Sequence, residues 1–169
     1  MFYEVRPELI ELGAEIPEFK SDRVYVGIIT LAELKQEYEK FGFSPATIES
    51  CEKISHTIQN SISVYDTYSF GLLHIINSKD IYKRPDRIAF YITDRMFLVV
   101  DIFDEDRSTI SALELVISHA KQGKETLEKI IYGFICRLIL DENIEIEHLE
   151  TAISQMEKRV FVDEYTNAA

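Results

Sequence analysis

Thirty acidic residues against eighteen basic ones give this 169-residue chain a net charge of −12, so the side chains best placed to do chemistry are carboxylates. Carboxylates attract cations and basic partners, and at long range they repel nucleic acid, which removes DNA and RNA from the expected partners. One dense group is Asp104-Glu105-Asp106. Its spacing is partly that of a calcium loop, but the glycine and the distal bidentate glutamate of an EF-hand are missing, so it reads as a charged loop. His56, His74, His119 and His148 sit at no ligand spacing such as HxxxH, and His74 falls in a strand pattern where a half-buried histidine is expected. Cys51 and Cys136 have no adjacent basic or helix-start setting that would favour a thiolate, and both read as packed thiols. There is no GxSxG, no GxGxxG and no GxxxxGK[ST]. Neither a nucleophile elbow nor a phosphate cradle is indicated, so no enzyme activity and no required cofactor are expected.

These carboxylates are positioned by elements whose period changes along the chain. Strands are expected over residues 2–5, 8–12 and 23–28. Thr30 with Glu33 three residues on is a capping box, and it opens a helix that Gly42 terminates. Ser44-Pro45 starts a second short helix that runs to about Lys53. Ile62 and Val64 alternate with polar neighbours, and residues 70–76 are a longer apolar run; together they predict a hairpin. A second hairpin pairs Ile88, Phe90 and Ile92 with the run 96–101 across the turn Thr93-Asp94-Arg95. Its apolar return strand implies a sheet covered on both faces. The aromatics Tyr65, Tyr68 and Phe70 read as sheet packing. Ser108 or Thr109 is the expected cap of the next helix.

After Gly123 the period is helical to the end. Leu127, Ile130, Ile131, Phe134, Ile135 and Leu138 form a broad face suited to packing on a sheet. From Asp141 only a narrow stripe of Leu149, Ile153, Met156 and Val160 continues, close to the two-in-seven seam of a coiled coil. Eight acids and two bases between Asp141 and Glu164 leave this stretch at −6, half the net charge of the chain. A stripe that narrow requires a partner. The expected division is therefore a domain over 1–140 and an acidic helical arm over 141–169.

The run 127–143 (LEKIIYGFICRLILDEN), continuing through Leu149-Glu150 and Ile153 to Met156-Glu157-Lys158-Arg159-Val160-Phe161, resembles the stalk-entry helices of the CorA magnesium transporter family. In that family an apolar "LL..L.D..VD" stretch is followed by "L..L...ID.LE..V". The hairpin over 87–101 and the strand over 68–76 are similar to the same cytoplasmic domain, and the resemblance is clearest over 61–161. It implies an α/β (α+β) fold: a three-layer α/β/α domain with a mixed, largely antiparallel sheet, ending in a long acidic helix. It also implies a cytoplasmic location, a parent protein in the inner or plasma membrane, and a homo-oligomer that is a pentamer when attached to its membrane part. Family members carry two transmembrane helices and a Gly-Met-Asn signature. No stretch of this sequence approaches 18 consecutive apolar residues, and Gly-Met-Asn does not occur, so the membrane would be reached only through further spans. The unpaired seam at the end favours an amino-terminal portion of a longer transporter over a stand-alone relative. The implied function is a regulatory domain that senses Mg²⁺ or another divalent cation through acidic surfaces between subunits. The resemblance places one sensing carboxylate in the loop after the strand at 68–76, nearest to Asp80. From the residues alone a different function stays open, a stand-alone oligomeric interaction module that uses its carboxy-terminal amphipathic helix.

Overall fold

Strand and helix alternate as the hydrophobic period dictates. The computed structural model describes residues 1–6, 9–53, 59–75, 84–120 and 126–166. Asp80 lies outside them. In chain order the elements are β1 (Phe2–Val5), β2 (Ile10–Gly13), β3 (Val24–Thr30), α1 (Leu31–Phe41), α2 (Pro45–Glu52), β4 (Ser61–Val64), β5 (Ser69–Ile75), β6 (Asp86–Ile92), β7 (Met96–Phe103), α3 (Ser108–Ala120) and α4 (Leu127–Thr166). The strands form one sheet in the order β2-β1-β3-β7-β6-β5-β4. Five of its pairings are antiparallel, and β3 runs parallel to β7 at the centre.

β6 and β7 are buried along most of their length, as expected of strands covered on both faces. Alternate side chains feed two separate cores. Tyr91 and Leu98 join Phe2, Tyr25, Leu34 and Phe43 under α1 and α2, while Phe90 and Phe97 join Leu113, Ile117, Ile130 and Phe134 under α3 and α4. The result is the three-layer α/β/α arrangement. Tyr68 and Phe70 belong to the first core, and Tyr65 stacks on Tyr68 with centroids 4.7 Å apart, so these aromatics do pack on the sheet. Gly71 lets the Phe90 ring lie across the neighbouring strand, where an added Cβ would stand 2.1 Å from Phe90 Cζ.

The local signals operate as physical chemistry requires. Thr30 and Glu33 form the reciprocal capping box, with Thr30 N–H donating to Glu33 Oε2 at 2.7 Å. Thr30 is also the last residue of β3, so the chain passes from strand to helix without a loop. Gly42 closes α1 at φ 72°, a left-handed backbone that glycine adopts without steric cost. Several boundaries differ from expectation: β3 covers Val24–Thr30 rather than 23–28, and β7 runs on to Phe103. β2 begins at Ile10 rather than Glu8, and α3 is not capped by Ser108 or Thr109, for a reason that lies in the acidic loop before it.

Candidate functional site

The β6–β7 hairpin carries an irregularity that brings carboxylates together. Ile88 pairs with Asp101, but Arg87 pairs with Phe103, so Ile102 is an extra residue on β7. A bulge of this kind re-aims the side chains beyond it. Beyond it, Asp86 at the start of β6 comes beside Asp104, the first residue after β7, and the loop turns Asp106 back to the same point. One carboxylate oxygen from each of the three lies within 4.8 Å of the others. Asp86 and Asp104 are buried; Asp106 is exposed.

The same groups start α3. Ser108 N–H donates to Asp106 Oδ1 at 3.0 Å, and Ile110 N–H donates to Asp104 Oδ2 at 2.9 Å. Carboxylates are the favoured partners for the unpaired N–H groups and positive dipole at a helix start. They therefore displace the hydroxyl cap expected from the sequence. The Ser108 hydroxyl instead donates to Asp86 Oδ2 at 3.2 Å, which ties the helix start to the start of β6. To make this turn Arg107 adopts a left-handed backbone at φ 57°, costing roughly 1–2 kcal/mol for a residue with a Cβ. Its side chain donates to Glu114 Oε1 at 3.3 Å.

Electrostatically the site is crowded with negative charge. Burial pushes the Asp104 carboxyl above its ordinary range and nearby Asp106 adds to it, while the backbone N–H groups of Ile110, Ser108 and Thr109 oppose the rise. Half-buried Asp101 is raised by burial first and then by Asp104, with Arg107 opposing. Asp104 Oδ1 is buried and has no hydrogen-bond partner among the described residues. The three oxygens are hard donors of the type that ligates Mg²⁺ or Ca²⁺.

The other residues singled out from the sequence fall elsewhere. His74 is half-buried on β5, and its Nδ1 is buried without a partner among the described residues. Burial, and then the charge of Arg87 on the adjacent strand, lowers its pKa. Cys51 is buried in the first core, and burial pushes its thiol up to about 11. Cys136 is half-buried on α4. His56 lies outside the described residues. Asp86 is the residue that sequence reasoning missed.

A second feature lies on α4. α4 is one helix of 40 residues, about 60 Å long. Leu127, Ile130 and Phe134 are buried against α3 and the sheet. Ile139, Ile146, Ile153 and Met156 are 50%, 52%, 56% and 64% exposed. Of the stripe expected from the sequence, Ile153 and Met156 are thus exposed, while the side chains of Leu149 and Val160 lie outside the described ones; Ile139 and Ile146 precede Ile153 at intervals of seven, the heptad spacing of a coiled coil. No described helix is long and apolar enough to cross a membrane.

Comparison with known proteins places these features in context. The family described as CorA-like Mg²⁺ transporter protein matches residues 28–168. No curated protein sequence matches the chain. Among solved structures, the complete CorA magnesium transporter from Methanocaldococcus jannaschii is similar, with a TM-score of 0.67 and 13% identity over 95% of this chain and 50% of that one. The soluble domain of the same transporter gives 0.61 and 12% over 96% of this chain and 65% of that one. The cytoplasmic domain of ZntB from Vibrio parahaemolyticus gives 0.68 and 11% over 91% and 63%. At these identities the likeness is one of fold. The chain spans about half the length of the complete transporter it matches.

Proposed function

From the premise that this chain belongs to the family of CorA-like Mg²⁺ transporter proteins, we propose that it is the cytoplasmic regulatory domain of a divalent-cation transporter. In this role it assembles with copies of itself through the arm from residue 141 onward, and divalent cations between acidic surfaces tune that assembly. The observation that carries the proposal is the exposed apolar stripe of the arm, Ile146, Ile153 and Met156, set on a stretch with a net charge of −6.

Apolar seam and acidic face act in opposite directions. Burying the seam against other copies gains roughly 25 cal/mol for each Å² removed from water. Bringing the arms together also sets carboxylates of neighbouring copies near one another. A like-charged pair about 10 Å apart in water costs roughly 0.4 kcal/mol before salt screening, and several such pairs offset much of the seam. A divalent cation between the arms removes that repulsion and shifts the population toward the assembled state, while its loss lets the copies separate. Magnesium suits the task because it retains most of its hydration and needs few direct carboxylates. Asp80 is assigned one of these sensing positions by the family resemblance, with pentameric assembly when the membrane part is present.

Sedimentation of the chain in EDTA, in millimolar MgCl₂ and in NaCl of equal ionic strength tests this. The expected outcome is a larger assembly in MgCl₂ than in matched NaCl, abolished by Ile146→Glu with Ile153→Glu. A monomer under all three conditions refutes the proposal. A small oligomer of the same size with and without metal favours a stand-alone coiled-coil interaction module instead.

A further inference from the structure

Within a single chain, we infer that Asp86, Asp104 and Asp106 form a binding site for one hard divalent cation, Mg²⁺ or Ca²⁺, that fastens the end of the β6–β7 hairpin to the start of α3. The site goes beyond the assembly proposed above, because all three ligands come from one copy and none lies on the arm.

Two independent observations support it. The first is convergence: one carboxylate oxygen from each residue lies within 4.8 Å of the other two, a span that a cation with metal–oxygen distances of roughly 2.0–2.6 Å can bridge. Asp104 and Asp106 come from one loop, and Asp86 is brought to them from the other strand of the hairpin. The second is the state of Asp104. This side chain is only 8% exposed, yet its Oδ1 is buried with no hydrogen-bond partner among the described residues. Leaving a buried charged oxygen unpaired costs on the order of several kcal/mol. The start of α3 reaches this carboxyl through Ile110 N–H on Oδ2, with the backbone N–H groups of Ser108 and Thr109 nearby. A cation at Oδ1 would complete the carboxylate without disturbing the cap.

The donor set selects the class of ion. It holds oxygen only, with no imidazole or thiolate among the three, so borderline metals such as Zn²⁺ gain no advantage there. Exposed Asp106 gives an entry path, and water completes the coordination shell, as is usual for both ions. Ser108 already bonds Asp86 and Asp106 through its hydroxyl and backbone N–H, so the ligands are held in place before the ion arrives.

The test uses the full chain carrying Ile146→Glu and Ile153→Glu, which removes arm-mediated assembly and isolates this site from any ion held between copies. Calorimetric titration with MgCl₂ and separately with CaCl₂ is expected to give one ion per chain for at least one of them, together with a rise in Tm. Asp86→Asn should weaken binding at least tenfold, and it leaves the two carboxylates that cap α3 untouched. Asp106→Asn, at an exposed position, should do the same and provides a second variant if Asp86→Asn fails to fold. No binding of either ion at millimolar concentration overturns the inference, as does binding that neither variant weakens. Absence of metal-driven assembly in the unsubstituted chain, with this one-ion site retained, would count against the proposed function and leave the site standing.

Discussion

Replacing Phe134 by Ala asks whether α4 is two things in one helix. Phe134 is fully buried, and its ring lies 5.9 Å from that of Phe97 on β7, so it fastens the helix to the sheet. Removing the ring exposes or empties roughly 120 Å² of apolar contact, worth about 3 kcal/mol at 25 cal/mol per Å². A cavity the sheet cannot collapse adds about 1 kcal/mol. The expected loss is therefore about 3–5 kcal/mol, a large part of the 5–15 kcal/mol typical of a domain. Ile153→Ala is the paired control. That side chain is 56% exposed, so its truncation should cost under about 0.5 kcal/mol in an isolated chain while weakening self-association. Urea unfolding followed by circular dichroism, at a concentration where sedimentation gives a monomer, supplies both numbers. A loss below about 1 kcal/mol for Phe134→Ala would refute the argument that the first turns of α4 belong to the core. Equal losses at the two positions would refute the division of the helix at residue 140.

Other consequences are open to measurement. Gly71→Ala forces a methyl into the Phe90 ring, which is buried and cannot swing aside; a loss of about 1–3 kcal/mol is expected by urea unfolding. The Glu4 carboxyl is held below its ordinary range by its hydrogen bond to Arg6 and, further, by Arg23. A depressed folded pKa contributes stability above the unfolded value of about 4.3 and loses it as pH falls through the folded value. Glu4→Gln should thus cost about 1–2 kcal/mol at neutral pH, and the gap from the unsubstituted chain should close below pH 4. With its thiol pushed up to about 11 by burial, Cys51 exposes roughly one thiolate in a thousand at pH 8. A thiol reagent should label Cys136 under native conditions and reach Cys51 only on unfolding.

Much of this fold is legible in the sequence because its local signals and its long-range pattern agree. The capping box at Thr30 and Glu33, the Ser44-Pro45 start and the Gly42 stop all act within four residues of their targets. The apolar runs of β6 and β7 announce a sheet covered on both faces, and the broadening of the α4 stripe up to Leu138 marks where it meets that sheet. What periodicity does not contain is strand order. Nothing in residues 24–30 indicates that β3 will lie parallel to β7, some seventy residues on, because parallel pairing depends on where the intervening helices pack rather than on either strand.

The acidic site was half legible for a related reason. Asp104 and Asp106 stand out as a charged loop, but Asp86 is linked to them only by the register of the hairpin. Counting back from the turn at Thr93-Asp94-Arg95 in a regular ladder, with Ile92 opposite Phe97 and Ile88 opposite Asp101, sets Asp86 opposite Phe103. The bulge at Ile102 advances the partner by one residue, to Asp104. A one-residue slip carries a side chain to the other face of a sheet, so a single unpaired residue decides whether two carboxylates meet or miss. No residue type in Val99-Val100-Asp101-Ile102-Phe103 advertises the bulge; the stretch carries no glycine. Its cause lies just downstream, where α3 takes Asp104 and Asp106 as its cap and pulls the end of β7 toward its own N-terminus. Local helix capping thus sets strand register, and strand register assembles the three carboxylates. The order of dependence predicts that the site and the start of α3 are stabilised or lost together, whereas the seam of the arm, some turns beyond Phe134, answers only to another copy.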